Sequence, residues 1–358
     1  MAGAKFGVEA EYGLVRPDGR FADFANTSFN EVRGLIAPLP DYRHPELRVG
    51  DAGIRVKNWY VEGDERFDRE GRSTGMAVKG IEVRTPVSRT IGESMATLKR
   101  LRGMLEAALE ARGWRLAAVG FNPCTAAYDP GYSAWEREFH ASHAEHALPE
   151  VSTLSYGPDL NFSRAGDTPE GAVAAVERLT YYSPWMVPFS FSAPFHGGAL
   201  WEGLSYRTWR RTGPRPAALA HLAGGGGHRL VKAASPESQH LRIEFKAFDM
   251  VADDALMEEL FRLVLGVALA DAGELPGRTD VPDAQMHKRA ALSGFDDRQV
   301  REGAARVVEV AREALARARE ADGLPLLEGM LEVRRTPAHG MRERFLAGGP
   351  LFEPLQRG

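Results

Sequence analysis

Cysteine is almost absent from this chain: Cys124 is the only one in 358 residues. One thiol can form no intramolecular disulfide framework and no thiolate cluster for zinc, and both exclusions suit a reducing compartment. No basic group stands near Cys124 in the sequence to lower its pKa, so a small buried residue is expected there. Long apolar runs are missing too. Nothing approaches the roughly 20 residues of a membrane helix, and Met1-Ala2-Gly3-Ala4-Lys5 passes directly into a strand pattern, so a soluble cytoplasmic protein is expected. The chain also lacks a basic footprint. Its net charge is −4, its pI is about 6.2, and charges of both signs are interspersed, which sets nucleic-acid partners aside. Gly224-Gly225-Gly226-Gly227 has no Lys-Ser/Thr after it, so it is a loop rather than a P-loop, with a lid over phosphates as the alternative. No Gly-x-Ser-x-Gly elbow occurs, which argues against an α/β-hydrolase.

What the chain does have is enough apolar material, 44% of its residues, to bury a substantial core. Its patterning is distinctive in three places. In Phe6–Val15 the alternation predicts a β-strand with Glu9 and Glu11 on one face and Val8, Ala10, Tyr12 and Leu14 on the other. Acids are depleted from strands, so a pair is a signal. Val78–Pro86, around Glu82, and Leu241–Lys246, around Glu244, repeat the pattern with a base beside each acid. If the three strands turn their polar faces to one cavity, four carboxylates converge. The repulsion would rival the ~5–15 kcal/mol stability of a domain, so such a site needs divalent cations or raised pKa values.

Elsewhere the pattern predicts a strand over 54–61, with the charged stretch 64–71 pairing back on it as an edge hairpin. A helix opens at Thr90 and ends at Arg112-Gly113, and 114–120 returns as a strand. Residues 133–148 read as a polar helix, 151–163 as strand-like, and helices begin at Thr168, Asp253 and Asp297. Strands come in runs without a βαβ rhythm. That predicts an α+β fold with a curved, mainly antiparallel sheet forming a bowl and helices on its outer face. With no internal repeat and no clear linker, residues 1–358 read as a single catalytic domain, with core motifs over 5–250 and a helical part over 253–347.

These motifs, Gly7-Val8-Glu9-Ala10-Glu11-Tyr12-Gly13-Leu14, Ile81-Glu82-Val83-Arg84-Thr85-Pro86 and Arg242-Ile243-Glu244-Phe245-Lys246, resemble the carboxylate–amine ligase family of bacterial glutamate–cysteine ligases. A fourth piece, Ser190–Phe195 followed by Gly203-Leu204-Ser205-Tyr206-Arg207, is similar to that family's Ser/Pro-rich stretch. The resemblance covers most of residues 5–250. It implies a glutamine-synthetase-like catalytic fold, with ATP and Mg2+ used to join an amino-acid carboxylate, glutamate or a relative, to an amine through an acyl phosphate. It further implies Glu9, Glu11, Glu82 and Glu244 as magnesium ligands, Arg207, Arg242 and Lys246 as catalytic cations, and Ser192, Arg207 and Lys246 at the nucleotide. Two positions depart from the family pattern. Asp159-x-Asn161 replaces a His-x-His pair with hard oxygen ligands that still suit magnesium, and Lys246 replaces an arginine fork by a point charge.

Two other readings compete. A protein of this fold could bind a metal or small ligand without catalysis. Alternatively His140, His143 and His146 could hold a metal for hydrolysis, although at i, i+3 and i+6 they spread over roughly 120° of a helix, and a polar surface helix accounts for them as well. His196 and His240 read as satisfied pocket residues rather than ligands. A homodimer through exposed sheet edges is compatible with the pattern.

Overall fold

The computed structural model describes residues 3–40, 58–70, 72–141, 148–164, 166–211, 215–225, 227–234, 239–276, 283–320 and 323–356. Its strands are β1 (Lys5–Val15), β2 (Phe21–Ala22), β3 (Trp59–Phe67), β4 (Ser73–Arg84), β5 (Arg115–Ala117), β6 (Pro158–Ser163), β7 (Phe195–His196), β8 (Ala199–Leu200), β9 (Ala218–Leu222), β10 (Val231–Ala233) and β11 (Arg242–Phe245). Seven of them form one sheet in the order β10-β9-β11-β6-β1-β4-β3. The far end of β1 also carries β2 and β5, while β7 and β8 make a separate hairpin. Among the described strand pairs only β9–β10 is parallel. This is the expected mainly antiparallel α+β arrangement.

The helices are α1 (Phe29–Ile36), α2 (Ile91–Glu110), α3 (Ala134–Ala141), α4 (Pro149–Leu154), α5 (Pro169–Met186), α6 (Tyr206–Arg211), α7 (Asp254–Leu269), α8 (Ala284–Ser293), α9 (Arg298–Ala318), α10 (Pro325–Val333) and α11 (Pro337–Leu346). The long ones start where a side chain satisfies orphan N–H groups. Thr90 Oγ1 accepts from Glu93 N, Thr168 Oγ1 from Gly171 N, and the Asp253 and Asp297 carboxylates each accept two first-turn N–H groups. Among the described residues no helix is long and apolar enough to cross a membrane.

β1 decides where the core lies. Phe6, Val8, Ala10 and Tyr12 are buried on one face, where Phe6 and Phe162 meet Phe261 of α7 at ring distances of 5.8 and 6.4 Å. Helices α2, α5 and α7 cover this face, and α9 packs behind α7 so closely that a Cβ on Gly266 would lie 2.6 Å from the Ala311 carbonyl oxygen. The odd-numbered residues of β1, Glu9 and Glu11, therefore have the opposite, concave face to themselves.

Four local expectations are corrected. The stretch 64–71 does not fold back on 54–61. β3 runs on through Phe67 and pairs with β4, and the turn sits at Asp68, whose carboxylate accepts from Glu70 N and Arg72 N; residues 51–57 lie outside the described part. Val151–Leu154 is helical, since Pro149 opens a turn there, and the strand starts only at Pro158. The strand expected over 114–120 is three residues long. Cys124 is exposed, not buried.

The β3–β4 pair holds one irregularity that matters below. Glu62 faces Gly80 but Gly63 faces Val78, so Lys79 is an extra residue in a β-bulge. Glycines make the pinch possible. A Cβ on Gly80 would lie 2.0 Å from the Tyr12 carbonyl oxygen, and one on Gly63 would lie 2.2 Å from that of Ala77. Gly80→Ala is therefore expected to cost about 3 kcal/mol, read as a lowered urea midpoint; an unchanged midpoint would show that the bulge can relax.

Candidate active site

Strand register brings the acids together. Glu9 on β1 lies opposite Asp159 on β6 and Arg84 on β4, Glu11 lies opposite Glu82, and Glu244 on β11 lies opposite Asn161 on β6. Directly paired residues hold their Cβ atoms about 5 Å apart, so the carboxylates fall into two groups. Glu9, Asp159 and Glu244 each bring an oxygen within 4.8 Å of the others, and Glu11, Glu62 and Glu82 do the same one register step along the bowl. Glu62 was not anticipated. It belongs to β3, two residues after Tyr60, which faces Glu82.

Cations are interleaved with these acids. Lys246 Nζ stands 3.1 Å from both Asp159 Oδ2 and Glu244 Oε1. His221 of β9 lies with Nε2 3.1 Å from Glu244 Oε2. Arg242 donates to Asn161 Oδ1 and lies 3.0 Å from His221 Nε2. Arg84 pairs with Glu82 and sits over the Tyr60 ring. Lys79 Nζ donates to Glu11 Oε1 at 2.7 Å, and the Gly157 N–H donates to Glu11 Oε2 at 2.9 Å.

Protonation follows from this layout. Burial pushes the Glu82 carboxyl well above its ordinary value; Arg84 opposes the shift, and Glu62, Glu9 and Glu11 add to it. Burial also raises Asp159, to about 7, against the pull of Lys246 and with the help of Glu244. For Glu244 burial is outweighed by Lys246, the His221 hydrogen bond and Arg242, which hold it well below the carboxylate range. Burial lowers His221 despite the Glu244 contact, so at neutral pH it is the uncharged imidazole that faces Glu244.

The other sequence candidates fall elsewhere. Asn161 is in the bowl, but its side-chain oxygen accepts from Arg242. Arg207 is buried, and its guanidinium donates to the carbonyls of Ala247 at 2.8 Å and Lys246 at 3.2 Å. Ser192 is likewise buried. Its hydroxyl donates to the Met250 carbonyl and its N–H to Asp249 Oδ2, which places it in the scaffold rather than on an open surface. His140 stacks on Tyr132 at 4.3 Å, while His143 and His146 lie outside the described residues. His196 Nε2 lies 3.0 Å from the Ala126 carbonyl and His240 Nδ1 accepts from Ala223 N, so both are satisfied locally.

Hard carboxylate oxygens are the donors magnesium prefers, and the Glu9–Asp159–Glu244 group offers three of them on rigid strands. The chemistry of that donor set fits the ion.

No family model matches the sequence. It is 27% identical over 153 residues to "Putative glutamate–cysteine ligase 2-1" of Rubrobacter xylanophilus, covering 40% of this chain and 39% of that protein. It is 26% identical over 245 residues to "Putative glutamate–cysteine ligase 2" of Salinispora arenicola, covering 60% and 62%. Among solved structures, glutamate–cysteine ligase of Francisella tularensis in complex with AMP superposes with a TM-score of 0.60 at 10% identity, covering 97% of this chain and 85% of that one. The chain is thus similar in sequence to proteins named as glutamate–cysteine ligases and in fold to a solved one. A bifunctional glutathione synthetase from Pasteurella multocida shares the same ligase fold, with a TM-score of 0.59 at 10% identity over 97% of this chain and 50% of that one. The matched part thus spans about two-fifths of the Rubrobacter ligase-named relative.

Asp159 supplies a pH test on the metal-free protein. Its folded value of about 7 exceeds the ordinary 3.8. The stability tied to its proton is therefore fully present below about pH 4 and is lost as the pH rises through about 7. In EDTA, Asp159→Asn is expected to gain stability on the wild type across that interval, as followed by urea unfolding at stepped pH. A constant difference would place the Asp159 carboxyl in an ordinary environment.

Proposed function

We propose that this protein is an ATP- and magnesium-dependent carboxylate–amine ligase acting on an amino-acid carboxylate, glutamate or a close relative. The observation that carries the reading is the convergence of Glu9, Asp159 and Glu244 from three adjacent strands, with oxygens within 4.8 Å of one another and Lys246 and Arg242 beside them.

Hydroxide is a poor leaving group, so a carboxylate must be activated before an amine can displace anything from it. In this reading a substrate carboxylate oxygen bonds to the γ-phosphorus of ATP and the bond to ADP breaks. The amine nitrogen then bonds to the acyl carbon, phosphate leaves, and the amine gives up a proton. Phosphoryl transfer asks chiefly for positioning and charge neutralisation. Magnesium held by Glu9, Asp159 and Glu244 would neutralise phosphate charge there. Lys246, whose side chain is 26% exposed, carries a fixed positive charge to the same place, since Asp159 and Glu244 outweigh its burial and keep it protonated. Arg242 adds a second cation and holds Asn161 in line. His221 is a positioning residue that aims Glu244. The small-molecule reaction, a cytoplasmic setting and residues 1–358 acting as one catalytic unit belong to the same proposal.

An ADP-release screen pairing glutamate and related amino acids with amines tests the reading directly. Glu9→Gln and Glu244→Gln are each expected to lower ADP formation by about 100-fold or more, with the folded far-ultraviolet circular dichroism spectrum retained. ADP release per folded molecule that stays at the wild-type level would remove these acids from the chemistry.

A further inference from the structure

The two carboxylate groups in the bowl differ in the cation each already holds. Strand alternation puts Gly80, Glu82 and Arg84 of β4 on the concave face, and would put Lys79, like Ile81 and Val83, among the helices. The bulge shifts the parity from here on, so that Val78 joins the core and Lys79 turns into the bowl. Its ammonium enters the Glu11–Glu62–Glu82 group, 2.7 Å from Glu11 Oε1, 4.0 Å from Glu62 Oε1 and 3.3 Å from the Ser152 carbonyl oxygen. The Tyr156 hydroxyl donates to the Lys79 carbonyl at 2.9 Å while its ring lies 5.7 Å from Nζ, so the same tyrosine holds backbone and side chain. The Lys79 side chain is 3% exposed.

Lys246 is placed differently. It follows β11 without a bulge and its side chain is 26% exposed, so its long stem can swing the charge off the carboxylates and onto bound phosphate when another cation enters. Lys79 has no such exit. Leaving its three oxygen partners would strand a buried, unpaired ammonium. Arg84 beside Glu82 supplies a second positive charge to the same group.

We propose that the Lys79 ammonium takes the place of a divalent cation in the Glu11–Glu62–Glu82 group, so that the bowl binds metal on its Glu9–Asp159–Glu244 side and is neutralised by its own side chain on the other. Only the first half of that statement rests on the ligase reading. The bulge, the two flanking glycines and Tyr156 are then the apparatus that delivers a permanent internal cation to a place built from metal-type ligands.

Counting bound Mn2+ by electron paramagnetic resonance on the full chain, with and without a non-hydrolysable ATP analogue, tests this. Lys79→Met keeps the length of the side chain and removes its charge. It is expected to bind one more Mn2+ per chain than the wild type, and adding Glu62→Gln to it is expected to remove that extra ion. An unchanged count in Lys79→Met overturns the proposal. Should that variant fail to fold, Glu62→Gln in the wild-type background decides: the Mn2+ count is expected to stay the same, and loss of one ion overturns the proposal. Glu9→Gln separates the two readings. If it leaves the wild-type count untouched, metal binding on the ligase side falls, while an ion gained by Lys79→Met still stands on its own.

Discussion

Repulsion between like charges on one face of a sheet is the constraint that shapes this molecule. Residues two apart on a strand are about 7 Å apart; at an effective dielectric near 20 each pair of carboxylates there costs about 2 kcal/mol. Among the described residues Glu9, Glu11, Glu62, Glu82, Asp159 and Glu244 crowd one concavity. The structure answers in three ways. Lys79, Arg84, Arg242 and Lys246 are threaded between the acids, the excess left over is met by protons that Asp159 and Glu82 hold more tightly than isolated carboxyls, and a divalent ion would take the place of those protons.

An arrangement this unfavourable needs a rigid support, and the reverse of the sheet provides it. The even-numbered side chains of β1 are sunk in a layer of α2, α5 and α7, so the strand cannot slide or rotate to separate its acids without exposing Phe6, Val8, Ala10 and Tyr12. After β11, one buried carboxylate ties distant segments together. Asp249 accepts from Ser192 N and the Ser205 hydroxyl, its own N–H donates to the Ser190 hydroxyl, and Arg207 lies beside it. Arg207 and Ser192 thus serve the site by fixing the turn that follows β11.

Much of this was legible in the chain. Period-two patterning placed Glu9, Glu11, Glu82 and Glu244 on strands, and the structure turns all four to one side because each strand buries its apolar set against the same helices. Asp159 followed from its motif. Glu62 was hidden because 64–71 has the composition of a returning strand while β3 in fact runs on into it as far as Phe67. Lys79 was out of reach of pattern reading, since a bulge breaks the parity on which such reading depends. His221 gave only a faint signal, a lone polar residue in the apolar run Ala218–Leu222. Arg207 and Ser192 show the opposite failure: a motif gives position along the chain, whereas buried backbone carbonyls and a buried carboxylate claimed their donor groups.

The order of strands in the sheet has a bearing on how the protein comes to exist. β1 is made first, yet its neighbours in the main sheet are β4 and β6, and the last wall of the bowl, β11, is drawn from residues 242–245. Pairings so remote in sequence close slowly, so the edge of β1 that meets β6 stays unpaired in an emerging chain until residues 158–163 are made. Until β11 arrives Glu9 and Asp159 lack both Glu244 and Lys246, so the three-carboxylate group is one of the last parts of the bowl to be completed.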